Sequence, residues 1–201
     1  MSISLRKGQR ISLSKEAPGL TRLICGLGWD VVQQSGGGFF SKLGKKEEEC
    51  DLDASIICLN SANKLIDSKN IVYFGNLQHP SGSIAHQGDN RDGAGDGDDE
   101  VIVVNLPAIP MEIEKLIFVV NIYDCKTRKQ DFVQIKNAFV RLVDASTNKE
   151  LARYDLSGTE YVGMTGMVMA EVYRHNQEWK MAAIGNGVSV NGIGEMVQAY
   201  V

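Results

Sequence analysis

Nine short β-type runs, each bounded by turn residues, constrain the fold of this chain more than any other property. They are RLICGLGWD (22–30), DLDASIICLN (51–60), IVYFG (71–75), EVIVVNL (100–106), KLIFVVNIYD (115–124), NAFVRLVD (137–144), KELARYDL (149–156), GMVMAEVYR (166–174) and EWKMAAIG (178–185). Val, Ile, aromatic residues and period-2 alternation dominate them, and no stretch longer than about a dozen residues carries a clean helical period. A strand cannot bury its apolar face alone, so many short strands imply stacked sheets. The predicted class is mainly β, a β-sandwich of two packed sheets with short helical or irregular connections. Phe139, Arg141 and Val143 project to one side, Val140, Leu142 and Asp144 to the other, so alternation there is partial and both faces are expected to be covered. Two hairpins are predicted, one turning through 145–148 and one through 175–177, the latter offering Tyr173 and Trp179 as a cross-strand pair.

With 201 residues, 43% hydrophobic and 23% charged, the chain has the size and make-up of one globular domain, 1–201. A net charge of −4 argues against a nucleic-acid-binding surface. The N-terminal stretch lacks the continuous apolar region of a secretory signal and no run is long enough to span a bilayer, so the expectation is a cytoplasmic protein. Cys25, Cys50, Cys58 and Cys125 fall at unpatterned spacings, without a zinc motif. Cys25 and Cys58 lie in apolar runs and read as reduced core thiols. Residues 33–49 combine three consecutive glycines, Phe39, Phe40 and a Lys/Glu block, which reads as a mobile insert whose phenylalanines fold back onto the domain in preference to a partner or membrane contact.

The segment GDNRDGAGDGDDE (88–100) concentrates six carboxylates and four glycines against one cation, Arg91. Composition alone leaves open a solvated acidic loop. The alternative is a site for a hard cation: Ca²⁺ takes six to eight oxygen ligands, and glycines between acids let the backbone turn and present carbonyls inward. Mg²⁺ fits less well because it retains several waters. An EF-hand is excluded: a loop starting at Asp89 would place Arg91, Gly93 and Ala94 at the third, fifth and sixth positions, where acids and a glycine are required, and a strand follows Glu100. Asp51 and Asp53 are two apart on a strand and project side by side, which fits either a solvated strand end or a cation lying between them to offset the cost. Asp30 ends a strand in which Gly26 and Gly28 permit close backbone approach.

GLGWD, DLDAS, GDNRDGAGDGDDE, AFVRLVD, ELARYDL and YRHNQEWK, in this order and at these separations, resemble the tellurite-resistance TerD family of bacterial stress proteins. The likeness runs from SISLRKGQRISLSK to about Gly187; the insert 33–49 is longer than the family pattern and the tail VSVNGIGEMVQAYV matches loosely. The resemblance implies a β-sandwich, a calcium-binding cytoplasmic stress-response role, and no enzymatic activity. It implies a metal-site set of Asp30, Asp51, Asp53, Asp89, Asn90, Asp96, Asp98, Asp99 and Glu100, converging on a pair of neighbouring calcium ions. Asp92 stands where the family commonly has threonine and Ala94 where it has glutamate, so Asp92 joins the set as an acid gained at that point. Partners are expected among other stress-response proteins, including membrane-associated ones, with no nucleic acid.

The rival chemistry is a metal-dependent phosphoester hydrolase in which His86, three residues before Asp89, acts beside the same acidic cluster. No P-loop and no G-x-S-x-G pattern accompanies it, and His86 reads more readily as a residue packing beside the site. Tellurite is an oxyanion that a loaded calcium site would bind through the metal, but the sequence specifies no tellurium ligand.

Overall fold

A computed structural model describes residues 3–31, 50–88, 97–155, 161–176 and 178–201, with backbone only at 3, 4, 30 and 31. In chain order the strands are β1 (Ile3–Ser4), β2 (Arg10–Ser12), β3 (Arg22–Val31), β4 (Leu52–Leu59), β5 (Ile71–Val72), β6 (Ile84–His86), β7 (Glu100–Asn105), β8 (Lys115–Ile122), β9 (Ile135–Asp144), β10 (Lys149–Asp155), β11 (Gly166–His175) and β12 (Glu178–Val188). The first sheet runs β1-β10-β9-β3-β7-β6 and the second β2-β12-β11-β8-β4-β5. Among the described residues only β1 with β10 pairs in parallel. The fold is the sandwich expected from the spacing of the apolar runs.

Each of the nine predicted runs lies on a strand, while β1, β2 and β6 went unread. Two or three residues are too few to display a period, and these strands hold their places by pairing with a longer neighbour. The core lies between the sheets. Leu52, Ala54, Ile56 and Cys58 of β4 and Leu116, Phe118, Val120 and Ile122 of β8 face Leu23, Cys25 and Leu27 of β3, Ile102 and Val104 of β7, and Val140 and Leu142 of β9. The outer face of the second sheet is also apolar along β4 and β8. Ile57, Leu59, Ile117 and Val119 are covered there by Met196 and Val197 from the C-terminal segment. Burial on both faces explains why β4 and β8 read as nearly continuous apolar runs. Each of Met196 and Val197 adds about 2 kcal/mol by leaving water. Val190 fastens the segment: its N–H donates to Thr165 Oγ1 at 2.8 Å and its carbonyl accepts from the Cys125 thiol at 3.3 Å.

Both hairpins form, with one correction. His175 pairs with Glu178, leaving a two-residue connection, so Trp179 faces Arg174 and Tyr173 faces Lys180. Removing one residue from the loop shifts every pair by one position and sends the expected aromatic partner to the other face. The Arg174 guanidinium lies over the Trp179 ring, 4.7 Å from its centroid. Its Nε and Nη2 donate to the carbonyls of Ile113 and Ile109 at 3.2 and 3.0 Å, so this arginine ties down the 109–113 connection. The insert 33–49, with Phe39 and Phe40, lies outside the described residues.

Candidate functional site

The last residues of the acidic segment fasten to three different parts of the sandwich. Glu100 opens β7 opposite Leu27, and alternation with Ile102 and Val104 aims its side chain between the sheets, where it is 1% exposed. Its Oε2 accepts the Ala54 N–H of β4 at 2.5 Å. That N–H is available because β5 pairs with β4 only at Ile56 and Ile57. His86 of β6 also points inward, with Nε2 3.5 Å from the same Glu100 oxygen. Its Nδ1 accepts the Gly88 N–H at 3.2 Å, which in the neutral ring places the proton on Nε2, toward Glu100. Glu100 thus joins the two sheets, and His86 joins the start of the segment to its end.

Asp99 lies along β3: its N–H donates to the Leu27 carbonyl at 2.8 Å and its Oδ2 accepts from the Trp29 N–H at 2.9 Å. Asp98 lies on the outer face of the first sheet. Arg141 grips both its oxygens, Nε to Oδ1 at 2.7 Å and Nη2 to Oδ2 at 3.0 Å, and also lies 3.5 Å from Glu150. The hydrogen bond to Asp98 is the main reason the guanidinium is held even more firmly in its protonated form. This crossing requires glycine beneath it. A Cβ on Gly26 would stand 2.1 Å from Asp98 Oδ2, and one on Gly28 would stand 2.6 Å from the Gly97 carbonyl. The close approach expected at Gly26 and Gly28 is therefore made by residues 97 and 98.

Asp51 and Asp53 occupy a different face. In β4, Leu52 and Ala54 point into the main core, so Asp53, and Asp51 before it, project outward from the second sheet. Both are nevertheless buried, at 7% and 4% exposed. Directly across the ladder from Asp53 is Asn121 of β8, 3% exposed. Its Nδ2 donates to Asp53 Oδ2 at 3.0 Å, while its Oδ1 is buried without a hydrogen-bond partner among the described residues. A buried oxygen in that condition costs about 1–3 kcal/mol. Side chains two apart on a strand lie about 7 Å from one another. Two ionised carboxylates at that spacing repel by about 2 kcal/mol at an effective dielectric near 20.

The described part of the expected ligand set is thus divided. Asp98 sits on the outer face of one sheet, Asp51 and Asp53 on the outer face of the other, with Asp99 and Glu100 engaged between these extremes. Asp30 pairs in the backbone with Lys136 beside an irregularity in β3. Asp89, Asn90, Asp92 and Asp96, together with Ala94, lie outside the described residues. Among the described residues no three Asp, Glu, His or Cys side chains form a group that would hold a metal ion. The donors that do adjoin, Asp51, Asp53 and the Asn121 amide oxygen, are all hard oxygens, and the partnerless buried Oδ1 beside a carboxylate fits a hard cation such as Ca²⁺. Thiol chemistry does not compete: burial pushes the Cys50 and Cys58 thiols up to about 12 and raises Cys25 as well, so none is a thiolate near neutral pH.

Sequence reasoning missed Asn121 and Arg141. A polar residue closing the apolar run LIFVVNI was the available signal for the first. Arg141 stood inside the alternating FVRLVD, where nothing local named its partner. His79 is buried, with Nδ1 2.7 Å from Ser81 Oγ and Nε2 3.1 Å from Asn70 Oδ1. It braces the 70–83 connection.

A profile described as the TerD domain matches residues 1–200. The chain is 50% identical over 202 residues to stress response protein SCP2 of Bacillus subtilis (strain 168), covering 100% of both chains. It is 42% identical over 203 residues to tellurium resistance protein TerD of Serratia marcescens, covering 100% of this chain and 97% of the other. Among solved structures, a homologue of telluride resistance protein TerD from Streptomyces coelicolor A3(2) superposes with a TM-score of 0.68 at 20% identity, over 91% of this chain and 99% of that one. That likeness concerns the fold; together with the whole-length match of the family profile and the two relatives, it leads to one conclusion: this chain belongs to the TerD domain family, among relatives named for tellurium resistance and stress response.

Proposed function

We propose that this protein is a calcium-binding, non-catalytic stress-response domain whose acidic loops order around the metal and present a surface to a partner protein. The observation that carries the reading is the pair of buried like charges at Asp51 and Asp53, with a partnerless amide oxygen beside them. A divalent cation would offset the repulsion between the two carboxylates and meet the open amide oxygen. Asp51, Asp53 and Asn121 would hold one ion. Asp30, with Asp89, Asn90, Asp92 and Asp96, would complete that site or hold a second. When bound, the ion supplies charge neutralisation and crosslinking of strands and loops, and couples calcium to stability as RT ln(1 + [Ca]/Kd).

The same reading makes the protein cytoplasmic and its partners other stress-response proteins, including membrane-associated ones. Among the described residues no helix is long and apolar enough to cross a membrane. The hydrolase alternative gains no support from the geometry, because the His86 side chain is fully buried and turned toward Glu100 and Gly88. Calorimetric titration of chelator-treated protein with Ca²⁺ and with Mg²⁺, alongside thermal melts, tests the reading. Binding heat and a raised melting temperature with Ca²⁺ are expected; their absence would sink it.

A further inference from the structure

We propose that Asn121 is a cation ligand, with its side-chain amide reversing its role between the free and loaded states. The inference rests on the calcium reading above. It starts from an asymmetry: one end of this buried amide is used and the other is not. Nδ2 donates to Asp53 Oδ2 at 3.0 Å, and Oδ1 is buried with no hydrogen-bond partner among the described residues. The amide orientation follows from the carboxylate, because the reverse orientation would set oxygen against oxygen. In this arrangement the N–H₂ end acts as a weak substitute for a positive charge beside Asp53.

A cation placed against Asp53 inverts the preference. It repels the N–H₂ end and attracts the amide oxygen, so a half-turn of the amide exchanges one Asp53 hydrogen bond for a metal–oxygen bond and removes the unmet acceptor. The half-turn needs no added space, because the oxygen and N–H₂ ends of an amide are nearly the same size. Opposite Asn121 on β11 is Gly166, and Gly192 of the C-terminal segment passes so close that a Cβ there would stand 4.0 Å from Nδ2. Val190, Val188 and Met196 pack over Gly166, so this side of the amide is closed by apolar groups. Asp53 and Asn121 are also fixed in register on adjacent strands, so the two oxygens need no loop movement to reach one ion. Amide oxygen is a normal member of a calcium shell, which mixes carboxylates with neutral carbonyls.

The test uses the full chain and Ca²⁺ alone as the probe. In ¹H–¹⁵N spectra of the unaltered protein, the Asn121 side-chain N–H₂ signals move on calcium addition as the Asp53 hydrogen bond is given up; unmoved signals in protein that binds calcium overturn the assignment. Asn121→Ala weakens calcium binding at this site roughly tenfold or more. Asn121→Asp melts lower than the parent in chelator, because two carboxylates then face each other, and shows a larger calcium-induced rise in melting temperature than the parent. Equal affinities and equal rises in all three proteins overturn the role of Asn121 while leaving calcium binding intact. Absence of binding heat in the parent removes the calcium reading and this inference with it.

Discussion

Acidic residues at the same end of the sandwich do opposite work on its two sheets. On the first sheet, Asp98 is matched by a guanidinium, and Asp99 and Glu100 accept main-chain N–H groups of Trp29 and Ala54. These carboxylates hold the fold together. On the second sheet, Asp51 and Asp53 are brought side by side and buried, with the half-used amide of Asn121 as neighbour. That grouping sets two like charges about 7 Å apart on one strand. The contrast lies in the groups facing each carboxylate: a guanidinium and main-chain N–H groups on one sheet, a second carboxylate and a neutral amide on the other.

The comparison is broken most severely at Glu100. Glu100→Ala leaves the buried Ala54 N–H and His86 Nε2 facing a void and lowers stability by about 3 kcal/mol in urea denaturation, with chelator or with calcium alike. A loss seen in calcium only would move Glu100 from the staples to the ligands. Gly26→Ala comes next. Its Cβ expels the Asp98 carboxylate from beneath the Arg141 grip and costs about 2 kcal/mol, again in both buffers. Arg141→Met costs about 1 kcal/mol, since this guanidinium is partly exposed and screened. The two changes combined cost less than their sum, because each removes the same contact. Strict additivity would show that Asp98 and Arg141 do not act as one unit.

Asp53→Asn sharpens the other side. With the repulsion gone, the protein in chelator gains about 1 kcal/mol, while the calcium-induced rise in melting temperature disappears. A variant that melts lower in chelator and keeps its calcium response would place Asp53 among the structural carboxylates. The smallest effect concerns pH. Burial holds the His79 imidazole below its ordinary value near 6.5, with Glu112 opposing. The unfolded chain then binds the proton more readily, so stability falls as pH drops below about 6.5 and levels off once the depressed native value is passed. His79→Gln flattens this part of the stability profile and leaves calcium binding unchanged.

Much of the fold was legible because strand formation is a local property. The runs at 51–60 and 115–124 declared β4 and β8 through their branched residues, while the burial of both their faces emerged only in the folded chain. What covers the outer face was not legible: Met196 and Val197 lie in a tail whose sequence resembles nothing distinctive, and their role appears only when Ile57 and Val119 are seen beneath them. The site was legible as chemistry and not as geometry. Asp51 and Asp53 were identifiable from their spacing, and Gly26 and Gly28 as places of close approach, though not as a bed for Asp98.

The sequence by itself determined the β class, the strand positions, the oxygen-rich character of the acidic segment and the family, since each follows from residue type and local order. Tertiary structure alone decided which group each carboxylate meets. Asp98 meets Arg141 across 43 residues, Glu100 meets Ala54 across 46, and Asp53 meets Asn121 across 68. No local pattern encodes such pairs, because they depend on sheet order and register, which are set when the whole core closes.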